Sequence, residues 1–428
     1  MMAKIEIVVV GTHGEVRPQL ALGLALRDAG HEVIMCAPPN EEAWITSYGL
    51  KFHSAGCDMH SVIKNLNKYM GRPVQMLKAV KETLQSIIHD QFHRVSEASK
   101  DVDLIIGGGE PFAAPSIATK NQIPYIFVNL VTQFLPSSNY PPTVIPWQNM
   151  PKWMNQICWK MVNSLINLSI KGIINEHRSQ MGLAAIKDVY DYMFGDIELC
   201  ISAINEILDP APEHTFNHVQ TGLWHVPEVV DTDLEPELVK FLEDGPPPVY
   251  IGFGSMSDSN PQETIGIIED TVNSLGVRAI ISKGWGNLCK NMDSKNTYMV
   301  GFVSHYKLFP KMAAVVHHGG PGTVYTAAWS GVPQVIVPHM LDHYYQGNLL
   351  YKKNLIPKAI NRSKLTSEKL ASAIQQAITD KVIIDNNIQL GKKLRKVDKE
   401  GIAKAVSLIE EVLYRHGKNK QEIKQSII

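Results

Sequence analysis

Ile5-Glu-Ile-Val-Val-Val10, Gly11-Thr-His-Gly14, Pro18-Gln-Leu-Ala-Leu-Gly-Leu-Ala-Leu-Arg27 and His31-Glu-Val-Ile-Met-Cys-Ala37 follow one another at the start of the chain. The first run is rich in β-branched residues and reads as a strand. The glycine-bounded turn ends it, and apolar residues at helical spacing then continue to Gly30. The last run restarts a strand that Pro38-Pro39 stops. A strand, helix and strand joined by so short a crossover lie side by side in parallel. The chain is therefore expected to open a doubly wound parallel α/β sheet.

The same pattern recurs at Asp103-Leu-Ile-Ile-Gly-Gly-Gly109 and Ile123-Pro-Tyr-Ile-Phe-Val-Asn129. Sheets of this kind bind ligands beyond the carboxyl ends of their strands, so residues 12–17 and 107–112 are expected to face one crevice. Past Thr221-Gly-Leu-Trp224 an acidic, proline-containing stretch ends in Asp244-Gly-Pro-Pro-Pro248 and reads as a linker with one short helix. Further buried-strand candidates begin at Val249, Val277, Thr297, Ala313 and Gln334, and the pattern is helical from Thr366 onward. The expected division is a first domain over 1–225, a linker over 226–246, a second domain over 247–395, and a C-terminal helix and tail over 396–428 returning to the first.

The 428 residues fit two large domains. Lys plus Arg number 41 against 42 Asp plus Glu, a net charge of −1, which makes nucleic acid a poor partner. With 44% apolar and 19% charged residues the chain can bury a core without disulfide staples. Its five cysteines (Cys36, Cys57, Cys158, Cys200, Cys289) are odd in number, widely spaced and free of C-x-x-C pairs, as suits a reducing cytoplasm. The N-terminal run lacks the parts of a signal peptide, and no window is apolar enough to span a membrane.

Ala313-Ala-Val-Val-His-His-Gly-Gly-Pro-Gly-Thr-Val-Tyr-Thr-Ala-Ala328 carries the most chemistry. A buried strand ends in a glycine-rich turn that opens a helix, and free N–H groups with the helix dipole suit a diphosphate there. The stretch has neither a Walker lysine nor Rossmann G-x-G-x-x-G spacing. The alternative is a glycine turn serving only tight packing. Residues 136–175, with several prolines and Trp147, Trp153 and Trp159, read either as ordinary core and loop or as an apolar acceptor pocket or membrane-facing lip.

With its neighbours, this turn resembles the family 1 nucleotide-sugar glycosyltransferases, and within them the bacterial antibiotic and sterol glycosyltransferases. The ordered motifs are Gly11-Thr-His-Gly-Glu-Val-Arg-Pro18, Phe253-Gly-Ser255, Gly301-Phe-Val-Ser-His-Tyr-Lys-Leu-Phe-Pro310, His317-His-Gly-Gly-Pro-Gly-Thr323, Gly331-Val-Pro333 and Pro338-His-Met-Leu-Asp342. The resemblance implies a GT-B fold: two Rossmann-like domains across a cleft, acceptor mainly on the first and donor mainly on the second. It also implies inverting transfer of a hexose from UDP-glucose, or secondly a TDP-sugar, without a metal or other cofactor. The acceptor would be a hydroxyl on an apolar sterol, polyketide, terpenoid or lipid. Peripheral membrane contact stays open, and the oligomeric state is not written in the sequence.

By that resemblance the donor would meet Gly14, Gly254, Ser255, the ring of Phe302, the backbone of Val303, a hydrogen bond from His317, and the cradle of Gly319, Gly320, Gly322 and Thr323. Asp342 and His343 would meet the sugar, where the family usually has Asp-Gln; an imidazole offers fewer polar sites than an amide, which leaves the hexose open. Glu15 stands where the family places Asp or His and is the first candidate for general base. His13 is the second, and a purely structural acid at the helix start is the third reading. Glu110, Phe112, Trp147 and Trp153 are the acceptor-side candidates.

Rival classes are a UDP-sugar 2-epimerase of the same architecture, a protein that only binds nucleotide sugars, and a metallohydrolase built on His339-Met-Leu-Asp-His343, which lacks the glutamate of H-E-x-x-H. Asp101-Val-Asp103 and Asp231-Thr-Asp233 resemble a D-x-D metal motif but do not sit at strand ends.

Overall fold

A computed structural model describes residues 2–58, 61–62, 65, 68–69, 72–195, 197–212, 216–226, 234–253, 261–283, 296–398 and 400–426. Seven parallel strands form the first sheet: β1 (Lys4–Val10), β2 (Glu32–Ala37), β3 (Lys51–Ser54), β4 (Leu104–Gly109), β5 (Tyr125–Asn129), β6 (Leu199–Ser202) and β7 (His218–Gln220). Their order is β3-β2-β1-β4-β5-β6-β7. The second sheet has β8 (Val249–Gly252), β9 (Ala279–Ser282), β10 (Thr297–Val300), β11 (Ala314–His317) and β12 (Gln334–Ile336), in the order β10-β9-β8-β11-β12. All pairs in both sheets are parallel. The doubly wound expectation is met twice.

Each sheet reverses its winding at one place, between β1 and β4 in the first and between β8 and β11 in the second. Loops leaving adjacent strands there splay to opposite faces, which opens a crevice. Strand β1 is buried on both sides, with Ile5, Ile7 and Val9 facing one core and Val8 the other. Burial of each such side chain is worth roughly 1.5–3 kcal/mol.

The first core lies under α1 (His13–Asp28), and the opposite core under α2 (Pro73–Ala98) and α3 (Lys152–Gln180). In the second sheet α4 (Pro321–Ser330) follows β11 and α5 (His343–Lys352) follows β12. The last helix, α6 (Gly401–Ser426), sends Ala405, Ile409 and Val412 into the first core. The loop after β6 joins the two halves. Asn205 Nδ2 and Tyr325 Oη each donate to Asp398 Oδ1 at 3.1 Å, and Tyr345 Oη donates to Asp209 Oδ1 at 2.7 Å. Buried polar bonds of this kind fix geometry, because breaking one strands its partner without water.

Candidate active site

Thr12 caps α1 as the chain leaves β1. Three residues on, Glu15 turns back so that its Oε2 accepts the Thr12 backbone N–H at 2.7 Å. This is the capping-box pattern, in which an acid at the third helical position satisfies an otherwise unpaired N–H. The carboxylate lies directly over Gly11, where an added Cβ would stand 2.0 Å from Oε2. Removal from water, reinforced by the charges of Glu110 and Asp342, pushes the Glu15 carboxyl up to about 7.

Those two neighbours come from different loops. Glu110 follows β4, and its N–H donates to Val10 O at 3.1 Å, which ties it to the end of β1. Burial raises its carboxyl as well. Asp342 belongs to the other sheet and stands immediately before α5, where burial pushes its carboxyl up to about 6. The cleft thus gathers carboxyls from the first turn of α1 and from two loops.

His13 Nδ1 lies 2.8 Å from Glu41 Oε2, and its ring packs against Trp44 with centroids 4.3 Å apart. Glu41 is only 4% exposed, and its Oε1 accepts from Asn40 Nδ2 at 2.7 Å. Glu41 was absent from the expected site. Its signal was position: it follows Pro38-Pro39 at the carboxyl end of β2, the strand beside β1. Gly14 is exposed at the start of α1.

At the second switch point β11 ends in His317, and Gly319 adopts φ +101°, a conformation that favours glycine. Gly320 then caps α4, with Pro321 at its first position, while Thr323 is half-buried in its first turn. Where a Cβ on Gly322 would stand there is open space. The expected hydrogen bond from His317 to a diphosphate does not fit. That ring is fully buried, its Nε2 meets Gln334 Oε1 at 2.9 Å, and its Nδ1 accepts the Gly319 N–H at 3.1 Å. Both nitrogens are spent inside the turn.

The next residue faces the cradle instead. A Cβ on Gly320 would stand 2.5 Å from His318 Nε2, and His318 Nδ1 is buried without a partner in this structure. Burial and the neighbouring imidazoles hold His318 well below the usual histidine range. Burial likewise brings His343 down to about 3 and His317 to about 4. These rings are neutral at pH 7, so they offer hydrogen bonds rather than charge. Arg17 on α1 is the nearby cation, close enough to disfavour the charged form of His305 in the 301–310 loop.

Phe302 is 88% exposed and is not part of the core. With Gly301, Val303 and Ser304 it lines a shallow pocket beside Leu234 and Leu238. Gly254 and Ser255 lie outside the described residues. Phe112 is half-buried against the second core, and its carbonyl accepts from Tyr192 Oη at 2.6 Å. Trp147 and Trp153 are 70% and 60% exposed, Trp153 in the first turn of α3 and Trp147 in the loop before it. Trp159 is instead buried with Tyr140 and Tyr345.

Among the described residues, no three His, Cys, Asp or Glu side chains stand together as a metal site. His339 Nδ1 is engaged by Val337 O at 2.8 Å, and His343 Nδ1 accepts the Met340 N–H at 3.3 Å, so the H-x-x-x-H pair holds its own loop. Asp103 Oδ2 accepts the Lys4 N–H at 2.9 Å, and Asp231 and Asp233 lie outside the described residues.

Residues 5–138 match the glycosyltransferase family 28 N-terminal domain, and residues 280–400 match the erythromycin biosynthesis protein CIII-like C-terminal domain. The vancomycin aglycone glucosyltransferase of Amycolatopsis orientalis is 31% identical over 354 residues, which is 81% of this chain and 83% of that protein. A sterol 3-beta-glucosyltransferase of Arabidopsis thaliana is 29% identical over 96% of this chain and 68% of its own length. Among solved structures, the glycosyltransferase VinC in complex with DTDP superposes with a TM-score of 0.67 at 17% identity, covering 96% of this chain and 100% of that one. The pair of sheets is the GT-B architecture.

Proposed function

The chain belongs to the glycosyltransferases that include the vancomycin aglycone and sterol glucosyltransferases, and from that premise we propose that it moves a hexose from a nucleotide-diphosphate sugar to a hydroxyl of an apolar small molecule. UDP-glucose is the first donor to test and a TDP-sugar the second. A sterol, polyketide, terpenoid or lipid would be the acceptor, and contact with a membrane surface belongs to the same proposal. The carrying observation is Glu15, a carboxyl pushed up to about 7 in the cleft.

In this reading Glu15 takes the acceptor proton as the acceptor oxygen bonds to the anomeric carbon, and the bond from that carbon to the diphosphate oxygen breaks. A single displacement inverts the anomeric centre. A base whose pKa lies near the working pH combines availability with proton affinity. The leaving diphosphate gains charge, which the N-terminus of α4 and a hydrogen bond from His318 would meet. Asp342 and His343 would hold sugar hydroxyls, and Phe302 would stack on the base. Gly254 and Ser255 keep their proposed donor role from sequence alone.

His13 offers a second reading, favoured by its 2.8 Å contact with Glu41. A carboxylate on Nδ1 fixes the tautomer and supports an imidazolium at Nε2. Comparing transfer rates of Glu15→Gln and His13→Ala decides between the two bases. Incubation with a UDP-sugar and no acceptor addresses the epimerase alternative: an epimerised sugar would refute transfer as the function.

A further inference from the structure

Helix α3 is apolar on two faces. Inward it buries Trp159, Ile170, Ile173 and Ile174, with Asn155 among them, while the half-buried Asn163 and Asn167 each donate to Asp188 Oδ2, at 2.7 and 2.8 Å. Outward, at successive turns, stand Trp153 (60% exposed), Ile157 (47%), Met161 (61%), Leu165 (59%) and Leu168 (78%). A surface helix ordinarily turns polar residues to solvent on that side, and a continuous exposed apolar stripe marks a contact surface.

Helix α2 lies beside α3: Gln85 Nε2 donates to Ser169 O at 3.3 Å, and Phe92 stacks on His177 at 4.3 Å, so the two helices run side by side in one direction. No described helix is long and apolar enough to cross a membrane, so this is a face and not a span.

Charge selects the occupant. From 152 to 175 the helix has Lys152, Lys160 and Lys171 and no Asp or Glu. Lys152 and Lys160 are exposed beside the stripe. A second copy pairing through this face of α3 would set lysines against lysines, with no carboxylate between 152 and 175 to meet them. A surface of anionic lipid headgroups over acyl chains answers both features. We propose that the outer face of α3 docks on an anionic bilayer. This deepens the apolar-acceptor reading and rests on it for purpose, while its test uses neither donor nor acceptor.

The test is co-sedimentation of the full chain with phosphatidylcholine vesicles and with phosphatidylcholine–phosphatidylglycerol vesicles. Wild type should bind the mixed vesicles at least about ten-fold more tightly than the neutral ones, and added salt should weaken that binding. Met161→Glu with Leu165→Glu should abolish it, and Lys152→Gln with Lys160→Gln should weaken it about ten-fold, both at wild-type melting temperature. Absence of wild-type binding, variants that bind like wild type, or a solution dimer dissolved by the glutamates would overturn the proposal. Loss of vesicle binding leaves the transfer assay unchanged, and a failed transfer assay leaves vesicle binding intact, so the two readings fail separately.

Discussion

Glu15 Oε2 accepts the Thr12 backbone N–H at 2.7 Å, so one carboxyl both caps the first helix and stands ready to take a proton in the cleft. The two roles separate by substitution. Glu15→Gln keeps an oxygen for the Thr12 N–H, so below about pH 4.5, where Glu15 is protonated folded or unfolded, stability should stay within about 0.5 kcal/mol of wild type, while transfer at working pH falls by about 10²-fold or more. Glu15→Ala should lose the transfer and in addition about 1 kcal/mol of stability with the cap. Denaturant melts beside initial rates check both, and a glutamine variant that transfers normally would remove Glu15 as the base.

The same carboxyl has a pH signature. Its folded value of about 7 lies above the ordinary 4.5. A raised carboxyl contributes stability that is fully present below about 4.5 and lost as pH rises through about 7. Wild type should therefore lose stability relative to Glu15→Gln across that window, while its kcat/KM climbs because the ionised base is the active form. Melting curves and rates at stepped pH measure these opposite slopes. Parallel curves for the two proteins would contradict a raised Glu15.

His13 and Glu41 make a separable prediction. If Glu15 is the base, His13→Ala should lower kcat/KM by less than about ten-fold. It should also cost roughly 1–3 kcal/mol of stability, because the buried Glu41 loses a partner. A loss of about 10²-fold in His13→Ala, with activity retained in Glu15→Gln, would transfer the base to the His13–Glu41 pair.

Gly322 tests the cradle without disturbing the fold. A Cβ there meets open space. Alanine should leave the melting temperature unchanged or raise it, by up to about 1 kcal/mol in stability, because alanine is the better helix former. The methyl would project toward the proposed diphosphate position and should raise the donor KM about ten-fold with little change in acceptor KM. Unchanged donor kinetics would place the diphosphate elsewhere.

Much of the fold was legible because β-branched runs such as 5–10 and 313–317 end in glycine turns and are joined by short crossovers, which leaves parallel winding as the arrangement. The gathering of residues 12–17 and 107–112 followed from the same logic. Side-chain direction was not legible. His317 and His318 are adjacent and chemically identical, and only the structure shows that Gln334 and the Gly319 N–H seal in the first ring while the second faces the cradle. Thr12 and Glu15 had the spacing of a capping box, a signal available before any coordinates. Glu41 had only its place beyond a strand end. The buried side of α3 was not legible either: its apolar residues recur on two faces, and spacing alone does not say that Trp159, Ile170, Ile173 and Ile174 go inward while Trp153, Met161 and Leu165 stay exposed.

The most direct measurement is a mass-spectrometric screen of UDP- and TDP-sugars against mixed apolar alcohols, run with wild type and Glu15→Gln. Glycosyl transfer and its Glu15 dependence predict a hexose adduct of at least one hydroxylated apolar compound, dependent on the donor, with inverted anomeric configuration, and reduced about 10²-fold in the variant. Donor turned over to an epimer or to free sugar with no acceptor adduct, or an adduct formed equally by the variant, would contradict it.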